Sequence, residues 1–283
     1  MTFSIIIPTY NRPEILKECL HALEQLNYPK EDMEIIISDD GSADINQPIV
    51  NLFSNLPILF ISGTNSGPAT ARNRGARMAN GDWLVFIDDD CRPDTAFLSQ
   101  VIPHLQTGLL LGGKTTNIEK SIYSTASQVL VDYIYRYFNK KDPVFFTSNN
   151  MVVSKNIFLE KGGFDETFPL AAAEDRQFCR EWIQSGKKLK YIPAAIIYHA
   201  HHLTRKGFWK QQKNYGRGAK LFHKVVNEQG GKIPMEGLGF YFGLLFFPFR
   251  IKGIGLFRRF RLSGLMFISQ LANISGYFSK SYP

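Results

Sequence analysis

Beyond Glu236 this 283-residue chain contains no acidic side chain. Its net charge of +8 is therefore local. Residues 1–200 carry 19 Lys and Arg against 23 Asp and Glu, whereas residues 201–283 carry 14 against 2. The basicity belongs to the last stretch and has to be explained there. Cysteine is scarce: Cys19, Cys91 and Cys179 are odd in number and far apart. That argues against a disulfide framework or a zinc site and favours a reducing compartment. No uninterrupted apolar run reaches the ~18 residues of a spanning helix. A strand from Phe3 to Ile7 starts the chain, which leaves no room for a signal peptide and predicts a cytoplasmic protein. Internal repeats and low-complexity tracts are missing too. At 44% hydrophobic and 20% charged residues the composition is that of a globular chain.

What is present centres on Gly81 to Asp94. Trp83 to Ile87 reads as a buried strand of aromatic and β-branched residues that ends in three carboxylates, Asp88, Asp89 and Asp90. Buried without partners they would lose hydration uncompensated, so they need solvent, bases or a divalent cation. A solvated turn before a helix capped by Asp94 would also satisfy them. Upstream, strands at 4–8, 34–38 and 58–62 alternate with helices from Pro13 to about Gln25 and from about Ala69 to Ala79. This alternation predicts a doubly wound, mostly parallel α/β sheet with helices on both faces. Downstream we expect a helix over 95–105, a helix over 121–138 and a strand over 147–153 with Asn149 and Asn150. A helix over 174–185 capped by Gly186 and a short strand over 195–198 follow. Two separate strands, ending at Asp39/Asp40 and at Asp88 to Asp90, then deliver acids to the sheet edge where ligands bind.

Six blocks in order carry a family resemblance: SIIIPTYNRP (4–13), ISDDGS (37–42), GPATARNRG (67–75), FIDDD (86–90), GGFDE (162–166) and Glu174-Asp175. Together they resemble the family 2 glycosyltransferases, inverting enzymes of the GT-A fold that use nucleotide sugars. The resemblance covers about residues 3 to 220. It implies a nucleotide-sugar-binding half (1–105), an acceptor and catalytic-base half (106–225) and a helical C-terminal extension (226–283).

Carried onto this chain, the resemblance makes Pro8, Thr9 and Tyr10 the wall around the base, with Arg12, Asp39 and Asp89 also on the donor side. Asp40 would accept from a base N–H, which favours a UDP-sugar, and Arg72 would lie beside the diphosphate or sugar. Asp88 and Asp90 match the Asp-x-Asp that holds Mg²⁺ or Mn²⁺, with His199 as a third ligand and His201 as the next choice. Asp175 would be the general base beside Glu174. Asn149, Asn150 and Phe164 fall on the acceptor side. Chemically, a cation offsets the charge of the leaving diphosphate while a carboxylate across the cleft takes the acceptor's proton. The 211–218 segment departs from the Gln-x-x-Arg-Trp of processive members at Asn214 and Tyr215, so addition of one or a few sugars is expected.

Aromatic and basic residues over 240–278 suit an interfacial helix on anionic lipid, or a helical hairpin packed on the protein. A saccharide or lipid-linked acceptor, met by a peripheral protein on the inner face of the membrane, fits the former. Two rivals remain at this stage. A sugar-phosphate nucleotidyltransferase would carry glycines in the loop after its first strand, and Thr9 to Pro13 has none. A non-catalytic membrane or nucleic-acid adaptor would use the basic tail, but no base-reading motif is present and no nucleic-acid partner is expected.

Overall fold

The computed structural model describes residues 2–43, 46–139, 142–169, 172–233 and 236–279. Its strands are β1 (Phe3–Thr9), β2 (Met33–Asp39), β3 (Ile58–Ser62), β4 (Trp83–Phe86), β5 (Cys91–Pro93), β6 (Leu109–Asn117), β7 (Met151–Ser154) and β8 (Lys188–His199). They form one sheet in the order β3-β2-β1-β4-β7-β6-β8-β5. The first four are parallel; β7 runs antiparallel to β4, β6 antiparallel to β7, and β5 antiparallel to β8. The sheet is thus mixed, with the doubly wound parallel part at its N-terminal side. Every residue of β1 is buried, as a central strand covered on both faces requires.

Helices α1 (Pro13–Glu24), α2 (Gln47–Val50), α3 (Pro68–Met78) and α4 (Phe97–Val101) accompany that part. Farther along come α5 (Ile122–Phe138), α6 (Lys155–Glu160), α7 (Glu174–Gln184), α8 (Arg205–Glu228), α9 (Leu238–Phe246) and α10 (Leu256–Tyr277). Pro13 starts α1, where its missing N–H costs nothing, and Leu16, Leu20 and Leu23 turn that helix onto the sheet. Each such leucine contributes about 1.5–3 kcal/mol by leaving water.

Three local expectations are corrected. The helix over 95–105 is split, because Pro103 cannot donate to the ladder; α4 ends at Val101 and Ile102–His104 is a 3₁₀ turn. Asp94 is not its cap: the N-cap is Ala96, and Asp94 accepts the Ala96 N–H at 3.0 Å in the turn before the helix. The expected strand over 147–153 starts only at Met151. Ser148–Asn150 is a 3₁₀ turn, drawn in by the Asn149 side-chain Oδ1, which accepts from Thr147 Oγ1 at 2.8 Å. Strand β8 is far longer than 195–198, since Lys190 and Pro193 interrupt the apolar run that would reveal it.

The chain forms two compact units. One comprises Met1–Thr116, Asp142–Pro169 and Glu174–Ala200 and contains the sheet core; the other comprises Asn117–Lys141, Leu170–Ala173 and His201–Pro283. The second is helical. Its core joins Leu130 and Tyr133 of α5 to Phe208, Leu244, Leu262 and Met266, and the Tyr133 hydroxyl donates to the Phe240 carbonyl at 2.6 Å. Helices α8 and α10 cross at glycines. A Cβ on Gly216 would stand 1.9 Å from the Asn273 carbonyl oxygen, and one on Gly276 equally close to that of Lys213. Both obstacles are backbone, so Gly216→Ala is expected to force the helices apart. The melting temperature should fall as ~1–3 kcal/mol of packing is lost; an unchanged melt would show that the two helices do not cross this closely.

Candidate functional site

The register of the parallel strands builds the site. Thr9 lies opposite Asp39 at the carboxyl ends of β1 and β2, and Ile6 lies opposite Phe86 of β4. Asp89, three residues past Phe86, is then level with Thr9, whose hydroxyl donates to it at 2.8 Å. The Asp40 N–H donates to the Thr9 carbonyl at 2.9 Å. The acids of β2 and β4 therefore share one edge, as expected for strands flanking β1.

Asp39 holds the loop that follows it. It accepts from the Ser42 N–H, the Asn46 amide and the Ser62 hydroxyl at 2.6–3.1 Å. Burial opposes its ionisation, but these donors outweigh it and keep its carboxyl below the ordinary range. The two Asp40 oxygens accept the N–H groups of Ser66 and Gly67, both at 2.9 Å, which leaves further lone pairs for a ligand. Arg74 donates to the Asp39 carbonyl at 2.8 Å and lies 3.8 Å from the Asp40 carboxylate. Pro8 is buried and Tyr10 exposed at the same strand end.

The three consecutive acids point three ways. Asp89, read from sequence as a donor-side residue, is buried between Thr9 and Arg12, with Arg12 Nη1 at 2.6 Å. Burial nonetheless pushes its carboxyl up to about 7. Arg12 also reaches Asp90 at 3.1 Å, and so holds the acid turn from the β1 side. Asp90 meets His199 Nε2 at 3.1 Å because β5 pairs with β8, setting Cys91 opposite His199. Burial disfavours the charged imidazole, but the bond to Asp90 and its charge prevail and raise the ring's affinity for a proton. Asp90 and His199 thus set a carboxylate beside an imidazole, a donor pair that fits a divalent ion. His201, two residues on, falls in the other compact unit.

Asp88 accepts from Arg72 Nη2 at 2.6 Å, while Arg72 Nη1 donates to Glu174 Oε1 at 3.1 Å. Arg72, expected beside the diphosphate, is only 1% exposed, so its guanidinium is committed to joining β4 to α7. Phe164, expected on the acceptor side, is buried as well. It lies under Arg72 with the guanidinium 5.9 Å from its ring centre, packs with Phe86, Phe158 and Phe178, and offers an acceptor no surface. Asn73 fixes its loop by donating to the Phe164 carbonyl at 2.7 Å and accepting its N–H at 2.9 Å.

Glu174 and Asp175 open α7 just after Ala173, a non-glycine residue at φ 79°. Left-handed backbone costs such a residue on the order of 1–3 kcal/mol and is commonest where function fixes the chain. Burial pushes Glu174 up to about 8, helped by the neighbouring Asp175 and opposed by Arg72; its Oε2 is buried with no partner among the described residues. Asp175 is half-buried, and burial lifts it to about 6 against the Arg176 and Ser148 N–H groups it accepts at 2.7 and 3.2 Å. Ser148 belongs to the turn that also holds Asn149 and Asn150, both buried; Asn150 donates to the Ala195 carbonyl at 3.4 Å. Nothing in the sequence marks Ser148, because a backbone donor has no residue signature. The role of Arg74 was within reach, since it shares a helix block with Arg72. The three cysteines are buried free thiols.

The glycosyl transferase family 2 model matches residues 4–166. Among curated relatives, glycosyltransferase AglE of Haloferax volcanii is 38% identical over 205 residues, covering 69% of this chain and 66% of its own length. The chain spans 33–66% of the length of the first curated relatives it matches. The mannosyltransferase PcManGT of Pyrobaculum calidifontis, solved with GDP-Man and Mn²⁺, superposes with a TM-score of 0.68 at 15% identity, over 96% of this chain and 86% of that one. Residues 1–349 of Staphylococcus aureus TarS, solved with UDP-GlcNAc, give 0.61 at 16% identity over 98% and 89%. At these identities the likeness establishes the GT-A-like fold.

Proposed function

The chain belongs to glycosyl transferase family 2, and from that premise we propose that it moves a sugar from a nucleoside-diphosphate sugar to an acceptor hydroxyl with inversion. The observation that carries this reading is the bridge through Arg72. It joins the acid at the end of β4 to the carboxyl pair that opens α7, so donor-side and base-side groups belong to one network.

The acceptor oxygen attacks the anomeric carbon as the bond to the diphosphate oxygen breaks. The leaving electron pair stays with the nucleoside diphosphate, and the acceptor's proton passes to Asp175. Two backbone N–H groups hold Asp175 in place, and the proton on Glu174 keeps a second negative charge away from it. Asp40 offers lone pairs to a base N–H, which favours a UDP-sugar; Pro8 and Tyr10 would flank the base. Asp88, Asp90 and His199 would hold a divalent cation, and the imidazole favours Mn²⁺ over Mg²⁺, a cation that prefers all-oxygen ligands. Such an ion, when bound, stabilises charge on the departing diphosphate. Mn²⁺ and nucleotide sugars accompany the structural neighbours, which supports both assignments. Asn149 and Asn150, in the turn that feeds Asp175, suit the side where a saccharide or lipid-linked acceptor enters.

Incubating the protein with UDP-, dTDP- and GDP-sugars, with and without Mn²⁺, tests the reading. Metal-dependent release of a nucleoside diphosphate and a product of inverted anomeric configuration by NMR are expected. Pyrophosphate release instead would refute it. The pH profile offers a second check. Asp175 must be ionised to accept a proton, so kcat/KM is expected to rise with pH through about 6, the value to which burial lifts it. A profile flat from about pH 5 to about pH 7 would remove Asp175 from the base role.

A further inference from the structure

Helices α9 and α10 each carry two apolar faces, and the protein uses one of each. On α9, Phe240 and Leu244 are buried while Leu238, Phe242 and Phe246, one turn apart, are exposed. On α10, Leu262, Met266 and Ala272 pack inward. Along the opposite side Phe257, Phe260, Phe267, Leu271, Ile274 and Phe278 recur at intervals of three, four or seven residues, all exposed, with Phe257 at 76% and Phe278 at 79%. The two outer faces are continuous: Phe249 is 6.3 Å from Phe246 and 5.1 Å from Phe260 between ring centres. A helix that served internal packing alone would carry polar residues there.

Charge decides what covers this ridge. Residues 237–279 contain Arg250, Lys252, Arg258, Arg259 and Arg261 and no acid. Arg261 lies over the Phe257 ring at 5.9 Å, at the border of the apolar strip. A second copy of this chain would bring the same cations against these with nothing to offset them, which disfavours self-association. Among the described residues no helix is long and apolar enough to cross a bilayer. Aromatic rings bordered by cations on a helix that cannot span are the features of an interfacial element.

We infer that the outer face of α9 and α10 docks on an anionic phospholipid bilayer, with the phenylalanines entering the headgroup boundary and the basic residues meeting lipid phosphates. The inference stands apart from sugar transfer and concerns where the protein acts. Co-sedimentation of the full chain tests it, using vesicles of phosphatidylcholine alone and vesicles containing about a third phosphatidylglycerol. The protein should pellet with the anionic vesicles, remain in solution with the neutral ones, and lose binding as salt increases. Phe257→Ser/Phe260→Ser/Leu271→Ser should weaken partitioning at least about tenfold, and Lys252→Gln/Arg261→Gln should weaken it at low salt only. Since these side chains are exposed, both variants should keep the wild-type melting temperature. Wild-type protein that stays in solution with anionic vesicles overturns the inference. So does light scattering that shows a dimer which the serine variant converts to monomer, because a second copy would then own the face.

Discussion

Asp175→Asn is expected to leave nucleotide-sugar binding within about twofold of wild type and to cut turnover by about 10²–10⁴-fold, the usual contribution of a positioned general base. The amide matches the carboxylate in shape. Its oxygen can still accept one of the two N–H groups that hold the carboxylate, those of Ser148 and Arg176, but its NH₂ cannot accept the other, so unchanged donor affinity is what marks the loss as chemical. Donor affinity read by thermal shift and turnover read by diphosphate release separate the two. A variant that retains turnover within about tenfold would end the assignment of Asp175 as base, whatever the family membership. Glu174→Gln provides the contrast. Glu174 is already protonated below about pH 8, so a neutral amide there should be far milder.

The second large effect is on stability. Arg72→Met removes the cation between Asp88 and Glu174 while keeping most of the side-chain volume over Phe164. Asp88, which is partly exposed, then loses its cation and the protonated Glu174 loses a donor, which together cost about 1–3 kcal/mol. The loss should depend on pH. Burial holds the Glu174 proton up to about pH 8, whereas the unfolded chain releases it in the ordinary carboxylate range. The native state therefore binds more protons between those limits, and this group's contribution is greatest at low pH and declines as pH rises towards 8. Without Arg72 the folded carboxyl holds its proton to still higher pH, so the decline should extend further. Denaturant melts of wild type, Arg72→Met and Arg72→Met/Glu174→Gln measure this directly. The double variant should lose the pH dependence that Glu174 confers, and equal stability for wild type and Arg72→Met would show that the bridge carries no weight.

The acid-tipped strands were legible because their signals are local. An apolar run such as Phe3 to Pro8 or Trp83 to Ile87 excludes water along its own length, and turn residues or carboxylates must follow where the chain leaves the sheet. The order of the six blocks likewise gave the family. Local signals were weaker past Asp94. Lys190 and Pro193 disguised β8, and the Asn149 side chain competed with the strand pairing its neighbours would otherwise form. The same limit applied to the acids themselves. Asp88, Asp89 and Asp90 are chemically identical in sequence, and only their partners distinguish them.

The sequence alone determined the strands and main helices as far as Trp83 to Ile87, where the carboxylates emerge, and that the basic charge is confined to the C-terminal stretch. Tertiary structure decided that Asp89 faces Arg12 and Thr9, that Asp88 faces Arg72, that Asp90 joins His199, and that one apolar face of α10 stays outside. The physical reason is range. Helix and strand preferences act between residues a few positions apart, whereas these pairings join groups 16 to 109 residues apart whose meeting is fixed by sheet register and helix packing.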